Sequence, residues 1–177
     1  MSQTKILQTP LTDEVIQDLR AGDQVVLQGV VYTARDMAHQ RLCEQIGRGQ
    51  TLPFDPVGAV IYFVGPTPAR PGRVIGAAGP TTSARMDPFS PTLIALGLKA
   101  MIGKGYRDEI VRQALVAHGA VHLATLGGGG ALLSQHITAV EMVAYEDLGT
   151  EAIRKLTVKD FPAVVAYDAQ GGCVYGT

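Results

Sequence analysis

Cysteine is nearly missing from this chain: of 177 residues only Cys43 and Cys173 are thiols, far apart and outside any C-x-x-C spacing. That argues against a disulfide framework, and against a self-contained zinc or iron–sulfur site, which needs three or four clustered ligands. Excess charge is missing too. Lys and Arg total 15 against 16 Asp and Glu, a net charge of −1, which argues against a protein that grips nucleic acid by neutralising phosphates. Charged residues of either sign make up only 18%, below the roughly 25% usual for soluble domains. No long hydrophobic run is present. The longest weakly charged stretch, 119–140, is broken by Gly127–Gly130 and carries His122 and His136, so it does not read as a membrane span. The opening MSQTKILQTPLTDEV shows no basic region followed by an apolar stretch, so no secretory signal is read and a cytoplasmic location is expected. Two nucleotide and metal signatures are absent as well. Gly103-Lys104-Gly105 is followed by Tyr106 and lacks the magnesium-binding hydroxyl of a P-loop, and no H-E-x-x-H occurs.

What is present is glycine, apolar residues and alternation. Gly accounts for 21 residues and apolar types for 46%, a pattern of tight turns and of a surface partly covered by something else. The length favours one domain over residues 1–177 with a real core. Strands are expected at 5–8, 24–32, 58–64, 74–78, 99–102, 120–125, 137–145 and 163–168. Helices are expected at 13–19 (capped by Thr12), 91–98, 106–118 and 151–156. Another follows Thr33, whose spacing to Asp36 is that of a capping box, with Ala34, Met37, Ala38, Leu42 and Ile46 on one face. The Pro-rich 65–72 reads as a connection. The class is mixed α/β.

Three cations fall at apparent strand-to-helix junctions. Arg35 lies in the first turn after Thr33, Arg85 follows the turn Gly79-Pro80-Thr81-Thr82-Ser83, and Lys104 sits between two glycines ahead of Tyr106. A helix N-terminus already attracts anions and disfavours cations unless an anion compensates. Three such placements therefore point to a shared anionic ligand; the alternative is three unrelated solvated charges. Two Arg and one Lys suit a small dicarboxylate, and phosphate would use the same donors. The hydroxyls of Thr81, Thr82 and Ser83 are turn formers on one reading. On another, one of them becomes a base or nucleophile if its proton has somewhere to go. Gly127–Gly130 is a weak candidate for an anion cradle. His118 and His122 are four apart, but Gly119 interrupts any helix between them, so a structural or surface role is expected. His39, one turn after Arg35, is expected to be a surface or interface histidine, and Asp36 the acid of the cap.

Thr33-Ala34-Arg35-Asp36-Met37-Ala38-His39, Gly79-Pro80-Thr81-Thr82-Ser83-Ala84-Arg85-Met86-Asp87 and Met101-Ile102-Gly103-Lys104-Gly105 resemble the C-terminal region of class I fumarases. Val143-Ala144-Tyr145-Glu146-Asp147-Leu148-Gly149 with Glu151-Ala152-Ile153 is similar to the same family further on, and the resemblance runs from about Lys5 to Asp168. L-tartrate dehydratase β subunits share several of these motifs. The resemblance implies an α/β swivelling β/β/α domain, with mixed sheets and flanking helices, serving as a fumarate hydratase β subunit. It implies a separate α subunit carrying a [4Fe–4S] cluster on three cysteines, whose iron acts as a Lewis acid on the substrate hydroxyl. The assembly implied is a dimer of heterodimers with its active site where the halves meet. Arg35, Arg85 and Lys104 match the positions that bind substrate carboxylates, and Thr81 the hydroxyl that takes the C3 proton of malate; no metal ligand falls in this chain. The alternatives are tartrate dehydration to oxaloacetate, and a non-catalytic anion-binding assembly module. Gly127–Gly130 is more glycine-rich than the family pattern, and the ending 167–173 departs from it.

Overall fold

The computed structural model describes residues 3–125 and 129–176. Seven strands are present: β1 (Lys5–Gln8), β2 (Gln24–Thr33), β3 (Val60–Tyr62), β4 (Ala100–Gly103), β5 (Val121–Ala124), β6 (Ile137–Ala144) and β7 (Ile153–Tyr167). They form one mixed sheet in the order β1-β2-β3-β4-β5-β7-β6, and a further β2–β7 pairing closes it into a small barrel. The first five strands run parallel to their neighbours, while β7 is antiparallel to β2, β5 and β6. Helices α1 (Asp13–Asp18), α2 (Asp36–Gly47), α3 (Ser90–Ala95), α4 (Glu109–His118) and the short α5 (Gly130–Leu133) flank it. Among the described residues no helix is long and apolar enough to cross a membrane.

Parallel strands covered on both faces read as continuous apolar runs, and their period of two divides the core here. Val60, Tyr62, Val64, Ala100, Ile102, Val121 and Leu123 join one cluster with Leu27, Leu156, Phe161 and Val165. Ile61, Phe63 and Met101 point the other way, beneath Ala38 and Leu42 of α2, Leu93 and Ile94 of α3, and Val111 and Leu115 of α4. Val111 and Leu115 are both fully buried, one turn apart, and each contributes about 1.5–3 kcal/mol. Thr12 caps α1 by accepting from the Val15 N–H at 3.4 Å. Gly119, at φ +69°, closes α4 in the left-handed region, where glycine escapes the penalty other residues meet.

Two expected elements do not form. The 151–156 segment is not a helix: Ile153 to Tyr167 is a single 15-residue strand. The Ile153–Leu156 spacing suits a helix, but β2 and β6 both offer ladders to this end of β7, and Ile153, Leu156 and Val158 are buried there. Nor is 74–78 a strand. Its backbone groups are satisfied locally: Thr67 N–H donates to the Ala77 carbonyl at 3.0 Å, Ala77 N–H to Thr67 Oγ1 at 2.8 Å, and Ala78 N–H to the Gly130 carbonyl at 3.2 Å.

Candidate functional site

In parallel α/β sheets, closed or open, ligands bind beyond the carboxyl ends of the strands, and all four expected site residues lie there. Arg35 follows β2, Thr81 and Arg85 lie in the connection after β3, and Lys104 follows β4.

The start of α2 differs from the capping box expected of it. Thr33 belongs to β2, and its hydroxyl donates to the Ala152 carbonyl at 3.2 Å while accepting from the Arg154 N–H at 3.0 Å. Helix α2 begins at Asp36 with Arg35 as its N-cap, making no side-chain cap bond. The Met37 N–H is instead satisfied by the Glu151 carboxylate at 3.2 Å, a distant acid placed where the helix dipole favours it. Met37 is 52% exposed and leaves the expected apolar face; His39 takes the buried position.

Asp36 is thereby released from capping and holds Arg85. Arg85 Nε donates to Asp36 Oδ2 at 2.9 Å, and Nη2 forms an ion pair with the same oxygen at 2.7 Å, with the guanidinium half exposed. An exposed pair contributes little to stability; its consequence here is placement. Asp36 Oδ1 and Arg35 Nε are buried without a hydrogen-bond partner among the described residues. Arg35 lies across Gly65, where a Cβ would stand 3.0 Å from Arg35 Cδ and Nη1. Glycine is therefore the residue that lets this guanidinium lie flat on the backbone.

Thr81 and Lys104 are brought together by the main chain. Thr81 N–H donates to the Phe63 carbonyl at 2.8 Å, Lys104 N–H to the Thr81 carbonyl at 3.3 Å, and Ser83 N–H to the Lys104 carbonyl at 2.8 Å. The hydroxyl-rich turn thus extends the end of β4 through a parallel Thr82–Lys104 bridge. Lys104 is not at a helix N-terminus, as the sequence suggested, because α4 starts at Glu109 with Asp108 accepting from the Val111 N–H at 2.9 Å. Arg85 sits in a 3-10 turn, Ser83–Met86. Gly127 and Gly128 of the proposed glycine cradle lie outside the described residues.

Sequence reasoning missed a buried polar group behind this turn. Arg107, 4% exposed, donates to Asp87 Oδ1 at 2.7 Å, and His122, fully buried, stands between Arg107 and Ser83. The available signal was a histidine in the middle of the apolar run Ala120–Leu123. His118 and His122 belong to different elements, as Gly119 implied. His39, expected at a surface or interface, is 1% exposed. Its Nδ1–H donates to the Arg35 carbonyl at 2.8 Å, and the ring packs edge-on to Phe63 with centroids 5.3 Å apart. Burial, with Arg107 nearby, draws its pKa from 6.5 down to about 4, so the ring is neutral at pH 7.

Among the described residues no three His, Cys, Asp or Glu side chains gather as metal ligands. The whole chain contains two cysteines, so it cannot supply the three thiolates of the implied cluster. The family model described as Fumarase C-terminus matches residues 2–177. The chain belongs to the fumarase C-terminus family. It is 37% identical to a putative fumarate hydratase class I of Geobacillus stearothermophilus over 96% of this chain and 33% of the relative. Against the aerobic class I fumarate hydratase of Escherichia coli the identity is 40%, over 82% of this chain and 27% of the relative. A putative L(+)-tartrate dehydratase subunit beta of Methanocaldococcus jannaschii is 37% identical over 93% of this chain and 88% of its own length. The chain thus spans about a third of the class I fumarate hydratases it matches.

Proposed function

We propose that this chain is the β subunit of a hydro-lyase that interconverts fumarate and L-malate, active only with a cluster-bearing α subunit. The observation that carries this reading is the placement of Arg35, Thr81, Arg85 and Lys104 beyond the carboxyl ends of the neighbouring strands β2, β3 and β4, with the Arg35 Nε buried and unpartnered among the described residues. A buried donor of this kind calls for an acceptor, and a carboxylate matches a guanidinium fork. Arg35 and Arg85 hold the substrate carboxylates, and Lys104 adds a compact charge. In the dehydrating direction the Thr81 alkoxide, its own proton already released to solvent, takes the C3 proton of malate. The C2–O bond then breaks as the C2=C3 bond forms, and the departing hydroxide takes up a proton from solvent and leaves as water. Between proton removal and hydroxide departure, negative charge accumulates on the carboxylate adjoining C3, where preformed cations stabilise it more than they do the ground state. The cluster that the family resemblance implies has no fit to this chain's two cysteines, so it belongs to the α partner. A swivelling attachment of the domain and a dimer of heterodimers complete the proposal.

The test is reconstitution with the α subunit under anaerobic conditions. The isolated chain is expected to be colourless and inactive, and the pair to hydrate fumarate. Arg85→Ala in the pair should lower kcat/KM by roughly a hundredfold or more, the scale of a lost charge-assisted contact to the transition state. Near-normal kinetics remove Arg85 from the site. The extensive match to a tartrate dehydratase β subunit favours one second reading, tartrate dehydration to oxaloacetate. Fumarate, malate and tartrate assayed side by side separate the two.

A further inference from the structure

Behind the hydroxyl-rich turn, one chain of buried side chains ties together three segments that meet at the site. Asp87 Oδ1 accepts from Arg107 Nε at 2.7 Å, and Asp87 Oδ2 from the Asp108 N–H at 2.9 Å. Arg107 Nη2 donates to Ser90 Oγ at 2.5 Å, and Arg107 N–H donates to the Tyr167 hydroxyl at 3.0 Å. Arg107 Nη1 lies 3.2 Å from His122 Nδ1, and His122 Nε2 lies 3.0 Å from Ser83 Oγ. Asp87, Ser83 and Ser90 come from the β3–α3 connection and its helix, Arg107 from the β4–α4 connection, and His122 from β5.

The proton arrangement follows from one constraint. A guanidinium only donates, so His122 Nδ1 must accept from Arg107, and the imidazole hydrogen stands on Nε2. His122 therefore donates to Ser83. That is opposite to a general-base pair, in which the imidazole lone pair receives the hydroxyl proton, so Ser83 is not an activated nucleophile. Burial and the Arg107 charge both push the His122 pKa well below its ordinary value, consistent with a neutral ring.

The network's end point is the site itself. Ser83 is two residues from Thr81 and two from Arg85, and its N–H donates to the Lys104 carbonyl at 2.8 Å. A Cβ on Gly103 would run into Ser83 Oγ and stand 2.8 Å from Phe63 Cδ2, so the hydroxyl is packed directly on the end of β4. We propose that Ser83, His122 and Arg107, anchored by Asp87, are positioning residues that set the separation between the Thr81–Arg85 turn and Lys104. This assignment deepens the proposed function and rests on it. A network that is fully satisfied rigidifies what it joins, and a 1 Å misplacement of a reacting group costs up to about a hundredfold in rate.

Arg107→Ala would bury Asp87 unpaired and endanger folding, so the informative variants lie at His122. In the reconstituted pair, His122→Phe removes both hydrogen bonds at similar ring size and should lower kcat roughly 10- to 100-fold while KM changes by less than about threefold. His122→Gln, which retains an N–H toward Ser83, should recover most of that loss. In the same chain, amide hydrogen exchange at Thr81, Ser83 and Lys104 should accelerate in His122→Phe and stay slow in His122→Gln, with the rest of the barrel unchanged. Exchange that remains slow at those three amides, or rises uniformly, overturns the assignment, as does unchanged kcat or a Gln variant as impaired as Phe. The exchange arm reads the network without activity, whereas failure of the carboxylate assignment shows as an unimpaired Arg85→Ala. The two failures are therefore distinguishable.

Discussion

His39 makes folding stability depend on pH between about 4 and 6.5. In the folded chain its Nδ1–H is committed to the Arg35 carbonyl and its ring is 1% exposed. Burial is the main cause of the fall in its pKa from 6.5 to about 4, and Arg107 adds to it; the Arg35 carbonyl and Asp36 oppose it. An unfolded chain returns the imidazole to its ordinary value. Between these two values the unfolded state binds a proton that the folded state refuses, so stability is complete above pH 6.5 and is lost as pH falls toward 4. The whole interval amounts to about 3 kcal/mol, at about 1.4 kcal/mol per pH unit. His122 shifts in the same direction and steepens the slope. Asp23 and Asp147 are depressed below 3.8 by Lys5 and Arg41 respectively, so their contributions disappear only at lower pH. Urea unfolding of the isolated chain at pH 7, 6 and 5, for wild type and His39→Gln, reads the effect. The variant should lose about one proton's worth of slope in this window. A variant whose stability falls as steeply as wild type, or a wild type indifferent to pH here, refutes the reasoning.

Two substitutions at the site test its geometry separately from its chemistry. Asp36→Asn removes the charge that holds Arg85 and should raise KM several-fold in the reconstituted enzyme. Stability should change by less than about 1 kcal/mol, as expected of an exposed pair, and calorimetry with steady-state kinetics on one preparation measures both. Gly103→Ala drives a methyl into Ser83 Oγ and the Phe63 ring. It should cost about 1–3 kcal/mol through overpacking, and it should lower kcat more than it raises KM. A stable, fully active Ala variant would show that Ser83 has room to yield.

Much of the layout was legible. Short apolar runs read as strands at 5–8, 24–32 and 99–102, the second of them β-branched, and Thr12 and Gly119 read as helix ends, because caps and turns are local chemistry. Errors arose where distant partners compete. Residues 151–156 carry a helical apolar spacing, but β6 pairs with Ile153, and β2 and β6 both pair with Leu156. Thr33 and Asp36 have capping spacing, but Thr33 serves β7 and Asp36 serves Arg85, leaving the cap to Glu151. Local spacing cannot reveal which of several hydrogen-bond partners will be present.

The same division holds for the candidate site. Residue type and local order picked out Arg35, Arg85 and Lys104, because cations at strand-to-helix junctions are unusual enough to stand out, whereas Thr81 was chosen from the three hydroxyls of its turn only through the family resemblance. Two cysteines also limited in advance what this chain could ligate. Tertiary structure decided that Asp36 holds Arg85 and that Gly65 makes room for Arg35. It also placed neutral histidines behind the turn and joined Asp87, Arg107, His122 and Ser83 into one chain. Those residues come from separate connections and a fifth strand. The parallel neighbours β3, β4 and β5, with α3 and α4 packed over their helix-covered face, bring them to the same buried side, where exclusion of water makes each polar group depend on its neighbour.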